Sequence, residues 1–148
     1  MTNSIQGFWT GTIIYGREYR VHPHAELYFD LEIYQQGETI TGIAADTRGA
    51  GMHPDPAQIV GTFNGKQINF MKCYPTRHYT YIEKPSETII DPLKPGHQIY
   101  YTGIYHPAED AFYGTWAIFG KRRLFGIIPV RYKNTGTWTM HRKMVDPF

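Results

Sequence analysis

A single cysteine, Cys73, stands among the 148 residues, so no disulfide can form within the chain and the core alone must hold the fold. Charge is sparse as well: Asp, Glu, Lys and Arg make up 19% of the residues and leave a formal net charge of +2. The most basic run is Lys121-Arg122-Arg123. That is too short to neutralise the phosphates a duplex presents, which argues against a nucleic-acid partner. Long apolar runs are missing, because glycine or proline interrupts each hydrophobic stretch after about five residues. No segment is suited to cross a bilayer as a helix, and no membrane role is expected. Helical spacing is absent too, with no window placing apolar residues at i, i+3, i+4 and i+7 over three turns. The opening Met-Thr-Asn-Ser-Ile-Gln has neither a basic nor an apolar leader character, and together with the lone cysteine it points to the cytoplasm as the expected compartment.

Aromatic residues are abundant by contrast, at 16%, with 12 Tyr, 8 Phe and 3 Trp. Flat and β-branched side chains pack well on a pleated surface, so this composition favours strands, and the length suits one domain over 1–148. Each tryptophan follows a glycine two residues before it: Gly7-Phe8-Trp9, Gly114-Thr115-Trp116 and Gly136-Thr137-Trp138. Residues two apart on a strand share a face, and the interior of a small barrel is filled by such alternation of small and large.

Period-two runs between turn signals give about eight strands. They cover Gly7 to Tyr15, Ala25 to Gln36, Thr39 to Asp46, Ala57 to Phe63, Gln67 to Tyr74, His97 to His106, Ala111 to Phe119 and Asn134 to Lys143. In the second, Leu27, Phe29, Leu31 and Ile33 share one face and Asp30 and Glu32 the other, the mark of a sheet with one dry and one wet side. Asn64-Gly65 is a hairpin signal. Thr47 to Pro56 reads as a loop, Lys84 to Gly96 as a long connection, Tyr79 to Glu83 as a possible continuation of the fifth strand, and Gly120 to Lys133 as either strand or rim loop. Short links pair each strand with the next, and about eight strands suffice for closure, so the predicted fold is all-β: a single up-and-down antiparallel barrel.

The Gly7-Phe8-Trp9 start and Arg142 at the end of the last strand resemble the calycin group of lipocalins, fatty-acid-binding proteins and avidins. The resemblance implies that Trp9 plugs one end and that Arg142 packs across its face. No helix follows the last strand, so the shape is nearest a helix-free, avidin-like barrel. Haem-binding barrels of the nitrobindin type share the Gly-x-Trp opening, and His141 is the histidine that would serve such a reading.

Function is expected to be non-catalytic binding of a small apolar or aromatic ligand inside the barrel, with Tyr15, Tyr100, Phe112, Trp116 and Trp138 as walls and Arg17 and His24 at the rim. The loops after strands one, three and five share one end, which brings His53 and the Pro75 to His78 stretch near that rim. No cofactor or metal is expected, since no pair of histidines has zinc-protease spacing. Cys73 reads as core packing and Asp30 with Glu32 as solvated exterior, so no catalytic set emerges. An interaction module working through an aromatic outer surface is the alternative, and Tyr28, Tyr34, Tyr113 and Phe119 on the wet face predict a homodimer.

Overall fold

A computed structural model describes residues 4–16, 25–79, 88–124 and 128–144, with residues 79, 120–124 and 128–132 described by backbone alone. Eight antiparallel strands close into a barrel in the order β1-β10-β9-β8-β5-β4-β3-β2. They are β1 (Gly7–Tyr15), β2 (Glu26–Gln36), β3 (Thr39–Gly49), β4 (Ala57–Phe63), β5 (Gln67–Cys73), β8 (Gln98–His106), β9 (Ala111–Leu124) and β10 (Ile128–Arg142). Between β5 and β8 the chain leaves the barrel to form a small pair, β6 (Arg77–Tyr79) with β7 (Ile89–Asp91). No helix among the described residues is long and apolar enough to cross a membrane.

The strands run further than turn residues suggest. β3 continues to Gly49 because a bulge between Tyr28 and Phe29 lets the ladder with β2 absorb one extra residue. Residues 125–127 lie outside the described residues, and Gly120 to Leu124 and Ile128 to Lys133 extend the β9–β10 ladder, in which Pro129 pairs with Arg123. A proline is tolerated there because, among the described residues, β10 has no second ladder partner so far along: its described pairing with β1 stops at Gly136. β6 starts a separate pair instead of continuing β5, and Thr80 to Glu83 lie outside the described residues.

Inside, bare glycines let tryptophans lie flat on the sheet. Trp116 pairs with Gly136 and Trp138 with Gly114 across the β9–β10 ladder, and the two rings seat on Gly136 of β10 and Gly103 of β8. A Cβ at Gly136 would fall 2.6 Å from the Trp116 ring, and one at Gly103 2.6 Å from the Trp138 ring. Flat seating also brings each indole N–H to strand carbonyls: Trp138 Nε1 donates to Thr102 O at 3.1 Å and Thr115 O at 3.0 Å, and Trp116 Nε1 to Thr137 O at 3.2 Å. A carbonyl has two lone pairs, so it serves the ladder and an indole together.

One end of the barrel gathers the tight hairpins, and here Trp9 is fully buried with Phe112 edge-on at 5.3 Å. The Arg142 guanidinium lies 4.5 Å from the Trp9 ring centroid while its Nε donates to Asp110 at 2.7 Å and its Nη1 to Gln6 O at 3.1 Å. Arg142 holds the Asp110 carboxyl below its ordinary range, and the Tyr105 hydroxyl donates to the other Asp110 oxygen at 2.6 Å. This hairpin end is therefore plugged and strapped.

Two substitutions test the interior. Trp9→Ala is expected to cost about 3 to 5 kcal/mol of unfolding free energy, as for other deeply buried aromatics. Gly103→Ala, which overpacks the Trp138 seat, is expected to cost about 1 to 3 kcal/mol. Urea titration of each purified variant reads both values.

Candidate functional site

At the opposite end, the alternation that puts Ile68 and Phe70 in the core puts Lys72 there too, buried to 2% exposure. Three rings surround its ammonium: Tyr74 with centroid at 4.8 Å, Tyr101 at 5.3 Å and Phe29 at 5.9 Å. Cation-π attraction from such a box offsets part of the lost hydration. No hydrogen bond or ion pair to another described residue is made by Nζ, so its three N–H donors have only rings and the more distant Asp46 charge to face.

Asp46 reaches the interior the same way, from the period-two row Ile40, Gly42, Ala44 on β3. The Tyr74 hydroxyl donates to its carboxylate at 2.9 and 3.0 Å, and the His53 backbone N–H donates at 2.9 Å. The His53 ring stacks on Tyr74 at 5.2 Å, and His78 stands edge-on to both at 4.8 Å. Since Nε2 of His53 faces Thr76 O at 3.1 Å and its Nδ1 accepts from Asp55 N–H at 3.0 Å, the ring carries its proton on Nε2. His78 likewise donates from Nε2 to Gly51 O at 2.8 Å, which ties β6 to the β3–β4 loop. Its Nδ1 is buried without a hydrogen-bond partner, as is Nε of Arg77 beside it. The loop end thus concentrates buried polar groups that the hairpin end satisfies.

Burial lowers the Lys72 pKa from 10.5 to about 8, against the opposing pull of Asp46. Burial also takes His78 from 6.5 to about 4, with small further pushes from His53 and His97. Tyr74 is raised well above 10.0, first by burial and then by Asp46. His53, His78 and His97 meet as rings, yet no three His, Cys, Asp or Glu among the described residues are placed to hold a metal ion.

The residues singled out from sequence divide by depth and face. Tyr15 and Trp116 meet edge to face at 5.8 Å toward the loop end, where the Tyr15 hydroxyl donates to Ala50 O at 2.8 Å. Phe112 and Trp138 are buried deeper, against Trp9, Phe63 and Phe70. Tyr100 is not a lumen wall: it is 47% exposed on the outer face of β8, and its neighbour Tyr101 takes the inward position. Arg17 and His24 lie outside the described residues. Gly7, Trp9 and Arg142 belong to the hairpin end, where a Cβ on Gly7 would press on Arg142 at 3.2 Å. Cys73 faces outward, half-buried, because Lys72 holds the inward slot. His141 is exposed on the outer face of β10. Asp30 pairs with Lys143 at 2.9 Å outside the barrel.

No protein-family model, no curated protein and no solved structure matches the chain.

The lowered pKa values of His78 and Lys72 give the stability a stepped pH profile. Between pH 4 and 6.5 the unfolded chain protonates His78 while the folded chain resists, so stability rises with pH across that window. It rises again from about pH 8 toward 10, where folded Lys72 has released its proton and the unfolded lysine has not, by roughly 3 kcal/mol in total. Above pH 10.0 the raised Tyr74 reverses the slope. Urea unfolding at stepped pH is expected to trace this profile, and Lys72→Met is expected to be flat between pH 8 and 10.

Proposed function

We propose that the barrel is a non-catalytic binder of a small, flat, apolar or aromatic molecule, held at the loop end with an oxygen acceptor against Lys72. The observation that carries this reading is the Lys72 ammonium, buried among Phe29, Tyr74 and Tyr101 with no hydrogen-bonding acceptor among the described residues. A cation taken out of water without an acceptor costs several kcal/mol, and an incoming carboxylate or carbonyl oxygen recovers part of that cost. Tyr15 and Trp116 supply flat surface near this end, and partly buried Met52 and Ile118 supply apolar contact. Asp46, engaged by Tyr74 and His53, leaves Lys72 as the group that reads the ligand's polar end. Membership of the calycin group is part of the same proposal, supported by the Trp9 plug with Arg142 across it.

A panel of flat aromatic carboxylates, with the matching hydrocarbons as controls, tests the reading through tryptophan emission and thermal shift. Carboxylates are expected to bind and to weaken as pH rises past about 8, where Lys72 loses its charge. Lys72→Met is expected to lower affinity at least about tenfold, a loss of roughly 1.4 kcal/mol. Binding that survives Lys72→Met unchanged, or a panel without any binder, rejects the proposal.

A further inference from the structure

The outer surface of the barrel is divided by charge. On β2 the outward positions include Glu26, Asp30 and Glu32. On β4, β5, β8 and β9 as far as Phe119, no outward position carries Asp, Glu, Lys or Arg. Directly paired across these strands and β10 runs a row of short polar side chains: Thr62, Asn69, Thr102, Thr115 and Thr137. Beside it lies a second paired row of Val60, Met71, Tyr100, Ala117 and Thr135. Val60, Tyr100 and Phe119 are each about half exposed, and a concave volume of about 1060 Å³ lies over the two rows. Lys133 marks the far rim, with its ammonium over the Phe119 ring at 5.6 Å.

We infer that this uncharged face is a two-fold interface with a second copy of the chain. Three features select that occupant. A charge near a two-fold axis meets its own image, so a face free of charge is the one a chain can turn toward itself, whereas Glu26 and Glu32 of β2 would oppose their copies and Asp30 is already paired with Lys143. Shape gives the second feature: the outside of a twisted barrel is convex around its girth and concave along its strands. Two such saddles fit when crossed at about a right angle, the convexity of one filling the concavity of the other. Extent is the third. Five strands about 4.8 Å apart, paired over about seven residues of roughly 3.3 Å, span about 24 by 23 Å, so two copies cover about 1,100 Å² before side-chain relief is counted. A stable interface needs about 1,000 Å².

The exposed rings sort accordingly. Phe119 lies on the uncharged face, and Tyr113 lies at its hairpin edge, where its hydroxyl meets Glu109 of the β8–β9 turn. Tyr28 and Tyr34 lie on β2 and donate their hydroxyls to Glu26 and Glu32 of the same strand, away from the interface.

Sedimentation velocity at micromolar concentration tests the inference on the whole chain. The native protein is expected at twice the 17.1 kDa of one chain. Thr102→Lys and Thr102→Glu, both at an exposed position near the centre of the face, are each expected to halve that mass with unchanged far-ultraviolet circular dichroism. Tyr100→Lys repeats the test at a second exposed position, and Tyr34→Lys, on β2, is expected to keep the doubled mass. A native mass of one chain overturns the inference. So does a doubled mass that persists in the Thr102 and Tyr100 variants, or one that is lost only in Tyr34→Lys.

Discussion

Closure of the barrel rests on an exchange between neighbouring strands, in which a tryptophan from one lies over a glycine of the other. Trp116 lies over Gly136, and the ring of Trp138, whose ladder partner is Gly114, lies on Gly103 of β8. The missing Cβ atoms serve two ends together. They give the rings a floor close enough for the indole N–H groups to reach Thr102, Thr115 and Thr137 carbonyls, so large side chains are buried without orphaned donors. They also remove bulk from the inner surface of the closed sheet. Strand pairing, core packing and hydrogen-bond satisfaction meet in the same few residues, and that agreement across levels makes one closed register better than its neighbours.

The two ends of the barrel treat polar groups in opposite ways. At the hairpin end Arg142 is a bound strap, stacked on Trp9 and hydrogen-bonded to Asp110 and Gln6. At the loop end Lys72 is a desolvated cation whose compensation is mostly aromatic, and His78 and Arg77 each keep a buried nitrogen without a partner. Methionine would fill the Lys72 slot without the desolvation cost. A chain that keeps a lysine there gives up stability at neutral pH, the cost on which the proposed ligand contact rests.

Alternation made the architecture legible. Strand limits at Gly7, Ala57 and Ala111 and the turn at Asn64-Gly65 follow from period two and from turn chemistry. Continuation of β3 to Gly49 and of the β9–β10 hairpin past Gly120 was hidden, because glycine and proline usually end strands and only the ladder partner reveals where they do not. Tyr100 and Tyr101 differ by one register step, and composition cannot choose between adjacent tyrosines. The loop-end cluster was partly in view: His53 and His78 were foreseeable from the topology of the loops. Lys72 and Asp46 complete the cluster from slots that the alternation of their own strands assigns to the core, Ile68-Phe70-Lys72 and Ile40-Gly42-Ala44-Asp46, against the usual exclusion of charge from such slots. A charge in an inward slot is the signal to seek in such sequences.

Pairing of the first strand with the last also has a temporal side. Trp9 finds its ladder partner at Arg142, so the seam joining β1 to β10 closes only once the chain through Arg142 is present. During synthesis the growing sheet carries one unpaired edge along β1 and another along its newest strand, each able to recruit a stray chain. Sequential hairpins from β2 to β5 can form meanwhile, since their partners are local in sequence. The final zipping is a long-range event that makes folding slow relative to helical proteins of this size, and it converts an open ribbon into a ring in a single step.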